Sequence, residues 1–156
     1  MPERSDVMIT PQKSYLPLGS LRGALLYPSP SLEMSDDRLG EVLDKVGLTA
    51  LRPRLDEVAR WDQVLSNGER QRLAIGRLLV HRPQVVVLDD SLSALEDSAQ
   101  QALLAQLRSE LPASTIVSLA QRSAQSGVHD RQLVLERRAG SAVLLPNATP
   151  ALAEAK

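Results

Sequence analysis

Four aliphatic residues, Leu39, Val42, Leu43 and Val46, recur at i, i+3, i+4 and i+7, which places them on one face of a helix. Ser35 precedes this pattern as a helix cap, Asp36 and Asp37 fall in the first turn, and Gly47 ends it. A second helical pattern runs from about Gly68 to Val80, with Leu73, Leu78 and Leu79 facing a core and Arg70, Arg72 and Arg77 as its charges. His81 lies at its end, where a cation suits the helix dipole, and has no evident catalytic role. A third helix is expected over Ser98 to Leu111, with Ala102, Leu103, Gln106 and Leu107 mixing its faces and Pro112 just beyond. Between the helices lie short apolar runs: Val7–Thr10, Val85–Leu88 (opened by Pro83) and Thr115–Leu119. The last two read as buried parallel strands. Arg131–Arg137 and Ser141–Leu145 read as a hairpin turned at Ala139-Gly140. Strands alternating with helices predict an α/β fold with a largely parallel sheet.

The remaining segments are irregular. Pro11, Pro17 and Gly19 make residues 11–21 a loop, and Leu21–Leu26 continues as a short apolar turn ended by Tyr27-Pro28-Ser29-Pro30. Leu51 and Leu55 belong to another short turn or helix, interrupted at Pro53. Trp61 reads as a packing anchor whose N–H finds a partner.

Composition narrows the class. A chain of 156 residues suits one domain with a real core, and the absence of Phe makes that core aliphatic. A formal charge of -1 carries no signal for nucleic acid. With no cysteine, disulfides and thiolate metal sites are excluded. No apolar run approaches the roughly 20 residues of a membrane span, and Met1–Asp6 lacks the apolar region of a signal peptide.

Two stretches carry candidate chemistry. Leu65-Ser66-Asn67-Gly68-Glu69-Arg70-Gln71-Arg72 reads as a helix start: Ser66 caps it, Glu69 sits in the first turn, and Gly68 admits a ligand close to the backbone. Unpaired amides and a serine hydroxyl at such an end favour an anion. About a dozen residues later, Gln84–Leu88 leads into Asp89-Asp90, two carboxylates at the carboxyl end of a strand, where open α/β sheets bind ligands. Read alone, the pair is a capped helix followed by a core strand.

Together, in this order and spacing, the first stretch resembles the LSGGEQQR signature of ATP-binding cassette (ABC) ATPases. Val85 to Glu96 resembles their Walker B strand, catalytic-base position and D-loop. Upstream, Pro11–Leu21 is similar to the Q-loop of ABC exporters, in the branch with peroxisomal fatty-acyl transporters and bacterial cobalamin, bleomycin or antimicrobial-peptide permeases. The resemblance covers roughly Met8 to Arg138. It implies a P-loop NTPase-like fold: a partial ABC cassette over residues 1–146, with a mostly parallel sheet flanked by helices, a C-terminal hairpin and a frayed tail over 147–156.

The resemblance also implies roles. Ser66, Asn67, Gly68 and Glu69 would meet ATP held by a second cassette in a head-to-tail dimer. Asp89 would hold Mg²⁺, and Gln12 would touch Mg²⁺ and the attacking water; taken alone, Gln12 is a solvated loop residue. Asp90 would polarise the water, and Gln121, in Ser118-Leu119-Ala120-Gln121-Arg122, would stand at the switch position. The segment after Gln12 would face a transmembrane permease domain, placing the chain at the cytoplasmic face of the inner or plasma membrane without a span of its own. ATP and Mg²⁺ are the implied cofactors.

Three positions depart from the family pattern: Asp90 stands where glutamate is usual, Glu96 where aspartate is usual, and Gln121 where histidine is usual. Aspartate shortens the reach by one methylene, and glutamine cannot carry a positive charge. No G-x-x-x-x-G-K-[ST] occurs. The expectation is a truncated, weakened ATPase with exposed aliphatic surface, including an uncovered side of Val85–Leu88. The alternative is a non-hydrolysing interaction module that completes a partner cassette's ATP site.

Overall fold

The computed structural model describes residues 6–119, 129–138 and 141–146. Two compact units divide the chain, Met1–Ser123 and Ala124–Lys156.

In the first unit the apolar runs become β1 (Val7–Pro11), β4 (Val85–Asp89) and β5 (Thr115–Leu119) of one parallel sheet, in the order β1-β4-β5. The register aligns Ile9 with Val87 and Val117, and Thr10 with Leu88 and Ser118. Side chains alternate across a strand, so these two rows point to opposite faces. The face carrying Thr10, Val86 and Leu88 is buried. On the opposite face Val85 and Val87 are half-buried, while Ile9 is 65% exposed and Val117 43%. The expected uncovered side of β4 is therefore present, and it extends over both neighbouring strands. Thr115–Leu119 is not the buried strand its composition predicts: β5 lies at the end of the strand order among the described residues, with Leu119 53% exposed. An uninterrupted apolar run reports hydrophobicity and leaves open which strands flank it.

The central helix is α4 (Asn67–His81), whose Leu73, Ile75 and Leu78 are almost wholly buried. Two helices pack on it: α1 (Leu21–Leu26) and α2 (Asp36–Lys45). Gly76 permits that approach, since a Cβ there would stand 3.1 Å from Leu25 Cδ1 and 3.4 Å from Val42 Cγ1. In α2 the residues Leu39, Val42 and Leu43 are buried as the periodicity predicts, Ser35 Oγ accepts from the Arg38 amide, and Gly47 follows with φ +73°. The segment Leu21–Leu26 is a helix and not the expected turn. Ser20 caps it by accepting from the Gly23 amide, a signal hidden by the shortness of the segment.

A 3₁₀ turn, Thr49–Arg54, buries Leu51 and is followed by β3 (Val58–Ala59), which pairs antiparallel with β2 (Gly19–Ser20). Arg22 of α1 reaches Asp36 at 2.6 Å and Asp56 at 2.7 Å, tying α1 to the start of α2 and to the segment before β3. Trp61 opens the short α3 (Trp61–Val64), donates from Nε1 to the Glu57 carbonyl at 3.3 Å and lies under the Arg54 guanidinium. The crossover from β4 to β5 is α5 (Asp97–Glu110), buried at Leu103, Leu104 and Leu107. Lys45 of α2 pairs with Glu110 at its end, at 2.7 Å. The described part of the second unit is an antiparallel hairpin of β6 (Leu133–Arg138) and β7 (Ser141–Pro146).

Candidate functional site

The parallel register that pairs Pro11 with Asp89 carries both strands to the same end of the sheet. The next residues, Gln12 and Asp90, therefore emerge side by side. Gln12 Nε2 donates to Asp90 Oδ2 at 2.8 Å, and Asp89 is exposed at the strand end beside them. Asp90 adopts φ +49°, in the left-handed region that aspartate tolerates better than most residues. Its backbone is held from both sides. The amide donates to the Leu119 carbonyl at 2.9 Å, and the carbonyl accepts from Ser93 Oγ at 2.8 Å and from the Ser93 amide at 3.3 Å.

The start of α4 has the predicted cap in its fullest form. Ser66 Oγ accepts from the Glu69 amide at 3.3 Å, while the Glu69 carboxylate accepts from the Ser66 amide at 2.9 Å and from the Ser66 hydroxyl at 2.7 Å. This reciprocal capping box satisfies two otherwise orphaned donors. The same two bonds from Ser66, with the hydroxyl the larger contributor, hold the Glu69 carboxyl below the usual glutamate range. Ser66 and Asn67 are exposed, and Asn67 Oδ1 accepts from Arg70 Nη2. Gly68 abuts the turn after β4: a Cβ there would lie 3.2 Å from Leu95 Cδ2.

Two residues passed over in the sequence stand out. Gln71 is 5% exposed, and its Oε1 accepts from the Ala94 amide at 2.9 Å. Arg77, read from the sequence as one of the charges of α4, is 6% exposed. Its Nε donates to the Ala24 carbonyl at 2.7 Å and its Nη1 to the Tyr15 carbonyl at 2.8 Å, and the guanidinium lies 5.2 Å from the Tyr27 ring centre. Nη2 is buried without a hydrogen-bond partner, and burial pushes the guanidinium pKa down to about 10. Helical periodicity could have flagged both: Gln71 stands three and seven residues before Ala74 and Leu78, and Arg77 four and three residues after Leu73 and Ala74, all of them buried. His81 likewise serves structure: Nε2 lies 3.0 Å from the Leu26 carbonyl and 3.1 Å from that of Tyr27.

The site residues thus fall into two groups. Gln12, Asp89 and Asp90 meet at the end of the sheet, and Ser66, Asn67, Gly68 and Glu69 form one capped helix end. The turn Leu92–Leu95 touches the second group through Gly68 and the first through Ser93. Gln121 lies outside the described residues.

The family model described as ABC transporter matches residues 3–93. The chain belongs to the ABC transporter family. An ABC transporter ATP-binding protein of Haemophilus influenzae, itself uncharacterized, is 38% identical over 125 residues, covering 80% of this chain and 21% of that protein. ABC transporter D family member 2 of Dictyostelium discoideum is 33% identical over 147 residues, covering 89% of this chain and 20% of that protein. Among solved structures, a bacterial Atm1-family ABC exporter with ATP bound superposes with a TM-score of 0.73 at 27% identity, covering 85% of this chain and 24% of that one. The chain thus spans about a fifth of the length of the curated relatives it matches. The fold is the P-loop NTPase fold of an exporter-type ABC ATP-binding domain, a nucleotide-binding domain. Among the described residues no helix is long and apolar enough to cross a membrane.

Proposed function

We propose that this chain supplies the signature-bearing portion of an exporter-type cassette, which closes over ATP held by a second cassette and passes that closure to a transmembrane permease domain. The supporting observation is the exposed, fully capped start of α4, with Gly68 set against the turn that follows β4. A helix N-terminus presents amides and a positive dipole end to phosphate. Head-to-tail pairing would bring Ser66, Asn67, Gly68 and Glu69 to the partner's nucleotide, at the cytoplasmic face of the membrane.

At the other end of the chain's own site, the donor chemistry fits Mg²⁺. That ion is commonly held by one or two carboxylates together with phosphate oxygens, and Asp89 is an exposed carboxylate at the strand end, opposite Pro11 in the register. Bound ATP–Mg²⁺ would supply the phosphoryl group for transfer. When the group is bound, Gln12 would orient water and Asp90 would accept its proton, while a glutamine at position 121 has no positive charge to lend. The shorter reach of Asp90 and the neutrality of Gln121 make this a slow hydrolase. No phosphate-loop motif occurs in these 156 residues, so the isolated chain binds ATP–Mg²⁺ weakly or not at all.

The test joins the chain to the phosphate-loop segment of the H. influenzae relative. ATP should then drive dimerisation in sedimentation experiments, and Gly68→Asp should abolish it. Dimerisation indifferent to Gly68→Asp would sink the proposed surface. In the same protein, Asp90→Glu combined with Gln121→His should raise hydrolysis by at least about tenfold, a floor set below the roughly 10²–10⁴-fold range of acid–base groups to allow for imperfect geometry. Equal rates would show the departures to be tolerated.

A further inference from the structure

The turn after β4 is hydrogen-bonded to α4 through the side chain of Gln71. Gln71 lies more than nine-tenths buried on the second turn of α4, and its carbonyl oxygen accepts the Ala94 amide proton at 2.9 Å. An amide N–H donates and only the oxygen of a side-chain amide accepts, so Gln71 must present its oxygen there. One residue back, Ser93 bonds the Asp90 carbonyl through both its hydroxyl and its amide. Asp90 in turn receives Gln12 Nε2 on its carboxylate. One residue onward, Leu95 packs where a Cβ of Gly68 would stand. Its amide closes on the Leu92 carbonyl at 3.0 Å, so the turn is braced internally.

We propose that Gln71 is a positioning residue for Asp90. By fixing the Ala94 amide it makes the capped end of α4 and the turn Asp90–Leu95 a single mechanical unit, so that a displacement at Ser66–Glu69 reorients the Asp90 carboxylate and its Gln12 partner. Its bearing on ATP rests on the function proposed above; the contact itself does not. Gln71 touches no reacting atom and contributes one acceptor oxygen at one place.

The experiment uses the chain as it is, without nucleotide, and reads amide exchange and side-chain resonances by NMR. Gln71→Met fills a similar volume but offers no oxygen. It should raise exchange at Ala94 by about tenfold, the change that losing one ordinary hydrogen bond makes in a local opening equilibrium. It should also shift the Gln12 side-chain amide, with Val86 and Leu88 in β4 unaffected. Gln71→Glu keeps an acceptor and should restore protection at Ala94. Titrating that carboxyl should then move the Ala94 and Gln12 resonances together, a coupling that space-filling alone would not produce. Unchanged protection in Gln71→Met overturns the proposal, as does failure of Gln71→Glu to rescue. If Gln71→Met does not fold, the titration of Gln71→Glu decides: Ala94 moving while Gln12 stays still overturns it. These readouts are independent of ATP-driven dimerisation, so either proposal can fail while the other stands.

Discussion

Gln12 donates its side-chain amide to the Asp90 carboxylate across 2.8 Å, although the two residues are 78 positions apart. The cause is register, since β1 and β4 run parallel with Pro11 opposite Asp89. Gln12→Glu would put a second carboxylate against the first. This variant should lose stability relative to wild type at neutral pH and recover as acid protonates the pair, because like charges at this distance disfavour joint ionisation. Chemical unfolding across a pH series measures it; a pH-independent difference would mean the two side chains do not meet in solution.

The capping box at Ser66 and Glu69 has its own pH signature. Ser66 holds the Glu69 carboxyl below its ordinary value of 4.5. A carboxyl depressed on folding stabilises the folded state above its unfolded value and loses that contribution as pH falls through the folded one. The stability gap between wild type and Glu69→Ala should therefore be full at neutral pH and shrink below about pH 4.5. Ser66→Ala should cost about 0.5–2 kcal/mol at neutral pH, as removal of a good cap does. Thermal melts of both variants at several pH values supply the check.

Arg77 is a buried cation bonded to the Ala24 and Tyr15 carbonyls, which tie the loop after β1 and α1 to α4. Lysine has no planar fork to span both acceptors. Arg77→Lys should lower stability by about 1–3 kcal/mol, the usual penalty for leaving a buried polar group unmatched. Hydrogen exchange should rise around Tyr15 before it rises in β4. Uniform loosening would assign Arg77 to bulk packing.

The open face of the parallel sheet sets the solution behaviour. Ile9 and Val117 flank Val87 in one registered row, and both are exposed. Parallel sheets are normally covered on both faces, so this row should drive self-association. Light scattering against concentration should show aggregation in the wild-type chain and much less in Ile9→Lys with Val117→Lys. The melting midpoint of the double variant should stay close to wild type, because neither side chain is in the core. A monodisperse wild-type monomer would contradict this.

Much of the architecture was legible from local pattern. Leu39, Val42 and Leu43 are buried because a 3.6-residue period admits only one inward face, and Ser66 with Glu69 marks the start of α4 through a short-range bond geometry. The Ser20 cap was equally local, but α1 has only six residues, too few for periodicity to declare itself. Hydrophobicity misread β5, whose apolar composition matches a buried strand while its place in the strand order leaves it half open.

The sequence by itself determined the extents of α2, α4 and α5 to within a residue or two and the three strands of the parallel sheet, because those depend on bonds and periods spanning a few residues. Tertiary structure alone decided that Gln12 meets Asp90, that Gln71 reaches Ala94, and that Arg77 is a buried strut and not a surface charge. Each of these depends on strand register or helix rotation. They arise when the aliphatic faces of α1, α2 and α4 find their closest packing, and that packing couples residues whose separation along the chain contains no trace of it.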